Sequence, residues 1–328
     1  MIFTVTLNPS LDEWMTLPTL TIGELNRASG FARYPGGKGI NVSRVIHELR
    51  QPTIAYALAG GEDGLILREL MNRLSIRHAF VEIAGATRNN YKIQTRHPQT
   101  LTEINAAGPT VSALDLQRLK RQILRYRPRP KVVTLSGSLP PGAPVTTYAQ
   151  WIRFFRRRHI PVVLDASGAA LRHGLSARPW MVKPNRQEAE AALQRRLTTW
   201  RALIAGSQAL LARGPEIVIL SLGREGALLA SKALRGVWLA TSPAVRVNSP
   251  VGSGDSLIGG FLVGWAQRCS LLDAFRLGVA CGTATAMTPG TQLCHRADVQ
   301  RILPRVRVRQ VASSHHLLGF AVSKVRVP

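Results

Sequence analysis

The sequence predicts an α/β fold, a mostly parallel sheet with helices on both faces, and two observations carry that expectation. Short β-branched apolar runs alternate with segments of helical periodicity along most of the chain. Two glycine-rich turns, at 35–39 and 252–254, each open a helix.

The elements follow in order. Residues 2–7 read as an opening strand, and 38–49 as a helix whose apolar positions Ile40, Val42, Val45, Ile46 and Leu49 suit packing on a sheet. A strand is expected at 53–59 and a helix at 65–74. Next come a helix at 114–126, a strand at 131–135, a helix at 146–158 and a strand at 161–164. A short strand at 180–183 feeds a helix near 187–193. Beyond it lie a helix at 200–212, a strand at 217–221 and a hairpin from 227–230 and 237–241. The C-terminal third is helical at 255–268, 271–287 and 297–302. Two stretches, 11–34 and 86–107, break the rhythm. In the second, 90–95 and 100–105 flank His97-Pro98-Gln99 as a polar β-ribbon. Parts of 11–35 and 86–108 are expected to form one small β lid on a domain spanning 1–305. Residues 306–328 form a basic extension to which no structure is assigned.

Composition removes several function classes. With 45% hydrophobic residues the 328-residue chain can bury a large core, so disorder is not the default. The longest apolar stretch, 257–266, is too short and too rich in glycine to cross a bilayer, and residues 1–10 do not resemble a signal peptide. Cys269, Cys281 and Cys294 form no CxxC pair and no even disulfide framework, so a cytoplasmic location is expected. The formal charge of +25 attracts polyanions, whether nucleic acid or small phosphorylated molecules. Its cations are scattered, without the long basic run interleaved with aromatics that a nucleic-acid stripe would show.

Two segments carry chemistry. Residues 247–260, VNSPVGSGDSLIGG, read as strand, glycine turn and helix. The first turn of a helix presents N–H groups without internal partners and a positive dipole end, a natural anion site. Gly252 and Gly254 let backbone approach a ligand, and Asp255 stands where the helix begins, placed to take a proton from an attacking hydroxyl. The plain alternative is a glycine turn with an aspartate favouring the helix start. Residues 34–49, YPGGKGINVSRVIHEL, place Lys38 between Gly37 and Gly39, a cation on bare backbone suited to an anionic ligand. No GxxxxGK[ST], HExxH, GxSxG or zinc spacing occurs.

The pair PGGKGINVSRV (35–45) and SPVGSGDSLIGGF (249–261) resembles the two signatures of the PfkB, or ribokinase-like, carbohydrate kinases. Further segments agree in order: TLNPSLDEW (6–14), TRNNYKI (87–93), TEINAAGP (102–109), SGSLPPG (136–142), KPNRQE (183–188), SLGREGALL (221–229) and GTQLC (290–294). The resemblance implies a ribokinase-like fold and the sugar-phosphate branch of the family, in which 1-phosphofructokinase, tagatose-6-phosphate kinase and the minor 6-phosphofructokinase stand. It implies ATP and Mg²⁺ as cofactors and a homodimer formed through the lids. By the same resemblance Asp255 is the catalytic base. Asp12 holds sugar hydroxyls with Gly37, Lys38 and Asn41, and Arg88 with Lys38 binds the phosphate already on the substrate. Lys183, Asn185, Ser221, Gly223, Gly226, Gly252, Ser253 and Gly254 line ATP, and Glu188 faces Mg²⁺ through water. Taken alone, Asn185 and Glu188 equally read as a helix N-cap with its capping-box partner.

The chain departs from the pattern at Pro250 and Ser253, where members commonly carry threonine and alanine. Gly23-Glu24-Leu25-Asn26 resembles the 1-phosphofructokinase form of the lid, whereas 290–294 resembles the minor 6-phosphofructokinase. The expected substrate is fructose 1-phosphate, then tagatose 6-phosphate, then fructose 6-phosphate. The alternative of another class is a basic nucleic-acid-binding or regulatory protein on a retired kinase fold. Retention of Asp12, Lys38, Arg88, Asn185, Glu188 and Asp255 argues against it.

Overall fold

The computed structural model describes residues 1–312. The chain opens with strands β1 (Ile2–Thr6), β2 (Ser10–Leu17) and β3 (Gly30–Gly36), then helix α1 (Lys38–Glu48). It continues through β4 (Thr53–Ala59), α2 (Gly61–Arg73), β5 (His78–Glu82), β6 (Arg88–Arg96) and β7 (Gln99–Asn105). The middle holds α3 (Ala113–Arg125), β8 (Val132–Ser136), α4 (Thr147–Arg156), β9 (Val162–Asp165) and α5 (Gly168–Ser176). After β10 (Met181–Val182) come α6 (Arg186–Leu193), α7 (Trp200–Ala212), β11 (Ile217–Ser221), β12 (Ala227–Ser231) and β13 (Val237–Thr241). The described chain closes with α8 (Ser253–Ala266), α9 (Leu271–Ala286), α10 (Arg296–Ile302) and β14 (Arg307–Ala312).

Ten strands form one sheet in the order β14-β13-β12-β11-β10-β9-β8-β1-β4-β5. Pairing from β11 through β5 is parallel, and β12, β13 and β14 add antiparallel strands at one edge. The central strands IFTVT, VVTLS and VVLD are buried at every position, as parallel strands covered on both faces must be. Alternation sends Phe3, Val5, Val133 and Leu135 to one face, under Leu119, Tyr148, Trp151 and Leu203 of the helices α3, α4 and α7. Ile2, Val132 and Val163 point the other way, into Val42, Val45, Ile258, Phe261 and Phe275 of α1, α8 and α9.

The two stretches that broke the sequence rhythm do meet. Strands β3-β2-β6-β7 form a separate four-stranded sheet, in which β2 pairs antiparallel with β3 and parallel with β6. One face carries Asp12 and Asn90. The other carries Phe31, Tyr91 and Ile104, all exposed.

Beyond residue 305, where the sequence pattern fades, Arg307–Ala312 pair antiparallel with β13, so the sheet extends into the segment expected to lie outside the domain. Its alternating Val306, Arg307, Val308 and Arg309 is a strand signal that the high arginine content obscured. Residues 313–328, the rest of that basic segment, lie outside the described residues. Strand β5 and helix α5 were not anticipated either. Among the described residues no helix is long and apolar enough to cross a membrane, and all three cysteines are free thiols.

Candidate active site

Parallel strands point their C-terminal ends the same way, and loops leaving those ends converge on one crevice. Here β9 ends at Asp165, β10 is followed by Lys183 and Asn185, and β11 ends at Ser221. The crevice is a continuous cleft of about 3100 Å³ between sheet and lid. Every residue singled out in the sequence lines it. Asp12 and Arg88 stand on the lid strands, Gly37, Lys38 and Asn41 at the start of α1, and Lys183, Asn185, Glu188, Ser221, Gly223 and Gly226 farther along the sheet. The turn Gly252, Ser253, Gly254 and Asp255 lies between.

Asp255 occupies the first turn of α8 and is buried. The turn before it needs Gly252 at φ +79°, and an added Cβ there would strike Leu293. Asn41 Nδ2 donates to Asp255 Oδ2 at 2.8 Å, which leaves Oδ1 without a protein partner among the described residues. Burial and the neighbouring Asp165 push the Asp255 carboxyl up to about 6, while Lys38, the Asn41 hydrogen bond and Lys183 pull it back. Such a carboxylate is ionised at neutral pH and still basic enough to accept a proton. The hydroxyl of Ser253, in the same turn, is buried without a partner, an orphaned donor at the anion-seeking end of a helix.

Asp165 is the group that sequence reasoning missed. It is buried, with Lys38 Nζ at 3.3 Å and Lys183 Nζ at 3.5 Å from Oδ1. Burial works against its ionisation, but Lys183 and Lys38 overcome this and hold the carboxyl below the usual carboxylate range. Lys38 also lies 3.7 Å from Glu188, and although burial opposes it, Asp165, Glu188 and Asp255 raise its pKa. Two ammonium groups are thereby fixed beside the Asp255 turn. Lys38 thus stands with Lys183 and Glu188, whereas Arg88 spends its fork elsewhere. Its donors reach the carbonyls of Ala106 at 2.6 Å, Asn8 at 3.0 Å and Pro9 at 3.4 Å. The only sequence signal for Asp165 was its position at the end of a buried apolar strand, where a lone carboxylate requires paired cations.

The Asn185–Glu188 capping box is formed. Asn185 Oδ1 accepts from Glu188 N–H at 2.8 Å, and Glu188 Oε2 accepts from Asn185 N–H at 2.9 Å. The cap uses Oε2 and leaves Oε1 facing Lys38. Among the described residues no three His, Cys, Asp or Glu side chains cluster to hold a metal ion directly. On the lid, Ser10 Oγ donates to Asp12 Oδ1 at 2.9 Å and Asn90 Nδ2 to the same oxygen at 3.3 Å, fixing a buried carboxylate toward the cleft.

This geometry has known counterparts. Residues 5–298 match the profile of the pfkB family carbohydrate kinases. A 1-phosphofructokinase of Bacillus subtilis (strain 168) is 36% identical over 311 residues, covering 95% of this chain and 100% of that protein. A 1-phosphofructokinase of Escherichia coli (strain K12) is 32% identical over 303 residues, covering 92% of this chain and 96% of its own length. The crystal structure of phosphofructokinase-2 from Escherichia coli in complex with fructose-6-phosphate matches with a TM-score of 0.86 at 30% identity, over 92% of this chain and 98% of that one. With a sheet, lid and cleft of this kind and a match over most of its length, the chain belongs to the pfkB family of carbohydrate kinases.

Proposed function

We propose that the protein transfers the γ-phosphoryl group of ATP to the C6 hydroxyl of fructose 1-phosphate, giving ADP and fructose 1,6-bisphosphate. The observation that carries this reading is Asp255. It is a buried carboxylate with a raised pKa, held by Asn41 at a helix N-terminus between a lid bearing Asp12 and the cluster of Lys38 and Lys183 about Asp165. Relatives named 1-phosphofructokinase support the choice of sugar phosphate.

In this reading Asp12, fixed by Ser10 and Asn90, accepts hydrogen bonds from sugar hydroxyls and orients the ring. Gly37 (φ +110°) and Asn41 bring α1 against the sugar, and Arg88, on the lid side of the cleft, faces its phosphate. Ser221, Gly223 and Gly226 border the nucleotide, while Gly252 and Gly254 offer backbone N–H groups, and Ser253 its unpartnered hydroxyl, to its phosphates at the start of α8. Asp255 takes the proton of the attacking hydroxyl, and Lys183 and Lys38 neutralise charge on the transferred group. Phosphoryl transfer depends on this positioning and neutralisation.

The residues present fit Mg²⁺ that arrives on ATP with most of its water, since the capping box leaves Glu188 Oε1 toward the cleft. Glu188 and Asn185 would hold that hydrated ion, which when bound screens the charge of the phosphates. The exposed lid residues Phe31, Tyr91 and Ile104 form the apolar face through which we assign a homodimer.

The test is a panel of ketohexose 1- and 6-phosphates with ATP and Mg²⁺, ranked by kcat/KM. Fructose 1-phosphate is expected to lead. A 6-phosphate in the lead, or no turnover of any member, would overturn the assignment.

A further inference from the structure

We infer that Arg44 is a positioning residue for proton removal: its guanidinium fixes the Asn41 amide, and Asn41 in turn fixes the Asp255 carboxylate. This rests on the functional reading above. Arg44 stands three residues beyond Asn41 on α1, a spacing that puts both side chains on one helix face. Its Nη1 donates to Asn41 Oδ1 at 3.1 Å and to Pro35 O at 3.2 Å, and its Nη2 to Thr291 O at 3.3 Å. One planar fork therefore joins the end of lid strand β3, helix α1 and the segment between α9 and α10. Arg44 does not line the cleft, so it acts through Asn41 rather than on substrate.

The chemistry of the amide makes the link directional. An asparagine side chain has a donor end and an acceptor end that can be exchanged by rotation. Here a cation faces the oxygen and a carboxylate faces the nitrogen, so a single orientation satisfies both neighbours. Without the guanidinium, the Asn41 oxygen could turn toward Asp255 and repel it. Burial lowers the pKa of Arg44 to about 10, opposed by the charges of Asp12, Tyr34, Asp255 and Cys294, so it is a cation at neutral pH. The groups facing Asp255 are Asp165, Lys38, Lys183 and Asn41, and the Arg44 charge also reaches it. Of these, only Asn41 is held by Arg44. Lysine at position 44 would keep the charge but lose the fork.

The test is a double-mutant cycle with Arg44→Met and Asn41→Ala, together with a pH titration. Arg44→Met is expected to lower kcat/KM by about tenfold or more while ATP affinity stays within about twofold. Its acid limb should move to higher pH, because the variant weakens the hydrogen bond to Asp255 and removes a cation that favours its ionised form, the second effect being absent in Arg44→Lys. Arg44→Lys should fall between the two. The double variant should be no slower than Asn41→Ala by more than about twofold, because the two residues act as a unit. Effects that multiply, or an unchanged acid limb in Arg44→Met, would overturn the assignment. If Arg44→Met fails to fold, Arg44→Lys enters the same cycle under the same criteria. If the wild-type chain phosphorylates no ketohexose phosphate, the functional reading fails. The positioning role is then decided separately by ¹³C NMR titration of the Asp255 carboxyl, assigned with Asp255→Asn, which must shift upward in the Arg44 variant.

Discussion

Asn41 Nδ2 donates to Asp255 Oδ2 at 2.8 Å, although the two residues are 214 positions apart in the chain. That bond joins the two glycine-rich turns, one before α1 and one before α8. It holds the carboxylate by one oxygen and leaves the other toward the cleft. The predictions below follow from the surroundings of this pair.

The first concerns pH. Asp255 must be ionised to accept a proton, and burial together with Asp165 raises its pKa to about 6. Activity should therefore fall as pH drops through about 6, well above the range of an ordinary aspartate. A kcat/KM profile measured from pH 5 to 9 checks this, and an acid limb near 4 would contradict it.

The same shift has a stability consequence of opposite sense. The folded pKa lies above the unfolded value of 3.8, so the folded state holds the proton longer as pH rises. Stability is lost between about pH 4 and 6, and the ionised group is a full burden above that window. Asp255→Asn removes the burden and should stabilise the protein at pH 8 by roughly 1–3 kcal/mol. Calorimetry at pH 8 should show a melting temperature a few degrees higher, with the gain shrinking toward pH 4.

Asp165 sits between Lys38 and Lys183, and removing its charge leaves Lys183 unpaired and Lys38 with Glu188 alone, at 3.7 Å. Breaking a buried ion pair by deleting one partner costs roughly 3–5 kcal/mol. Asp165→Asn should lose about that much in denaturant melts. In any folded fraction the acid limb should move to lower pH, because the like charge that raises Asp255 is gone.

Gly252 is held at φ +79°, and a Cβ there would meet the Leu293 side chain. Gly252→Ala should destabilise by roughly 1–3 kcal/mol from backbone strain alone. It should also weaken ATP binding, since the strained turn carries the backbone that receives the phosphates. Isothermal titration and thermal melts measure the two effects.

Much of this was legible in the sequence. The alternation of β-branched runs with helical segments marks the buried parallel strands, because a strand covered on both faces reads as a near-continuous apolar run. The two glycine turns announce backbone close to a ligand, and Lys38 and Asp255 stand in them. Tertiary pairing was not legible. Asp165 looks like a strand end until Lys38 and Lys183 are brought to it, and Arg44 reads as a surface arginine until the chain folds Pro35 and Thr291 around it. Strand β14 escaped notice for another reason. Its arginines face solvent at the sheet edge, and such charges mask the spacing of two between Val306, just before the strand, and Val308.

The most direct measurement compares kcat of Asp255→Asn with that of the wild-type chain on fructose 1-phosphate, with ATP and Mg²⁺ saturating. A general base in the transfer step requires a loss of at least about a hundredfold with ATP affinity essentially unchanged. Turnover within about tenfold of wild type would contradict the assignment of Asp255 as the group that takes the proton.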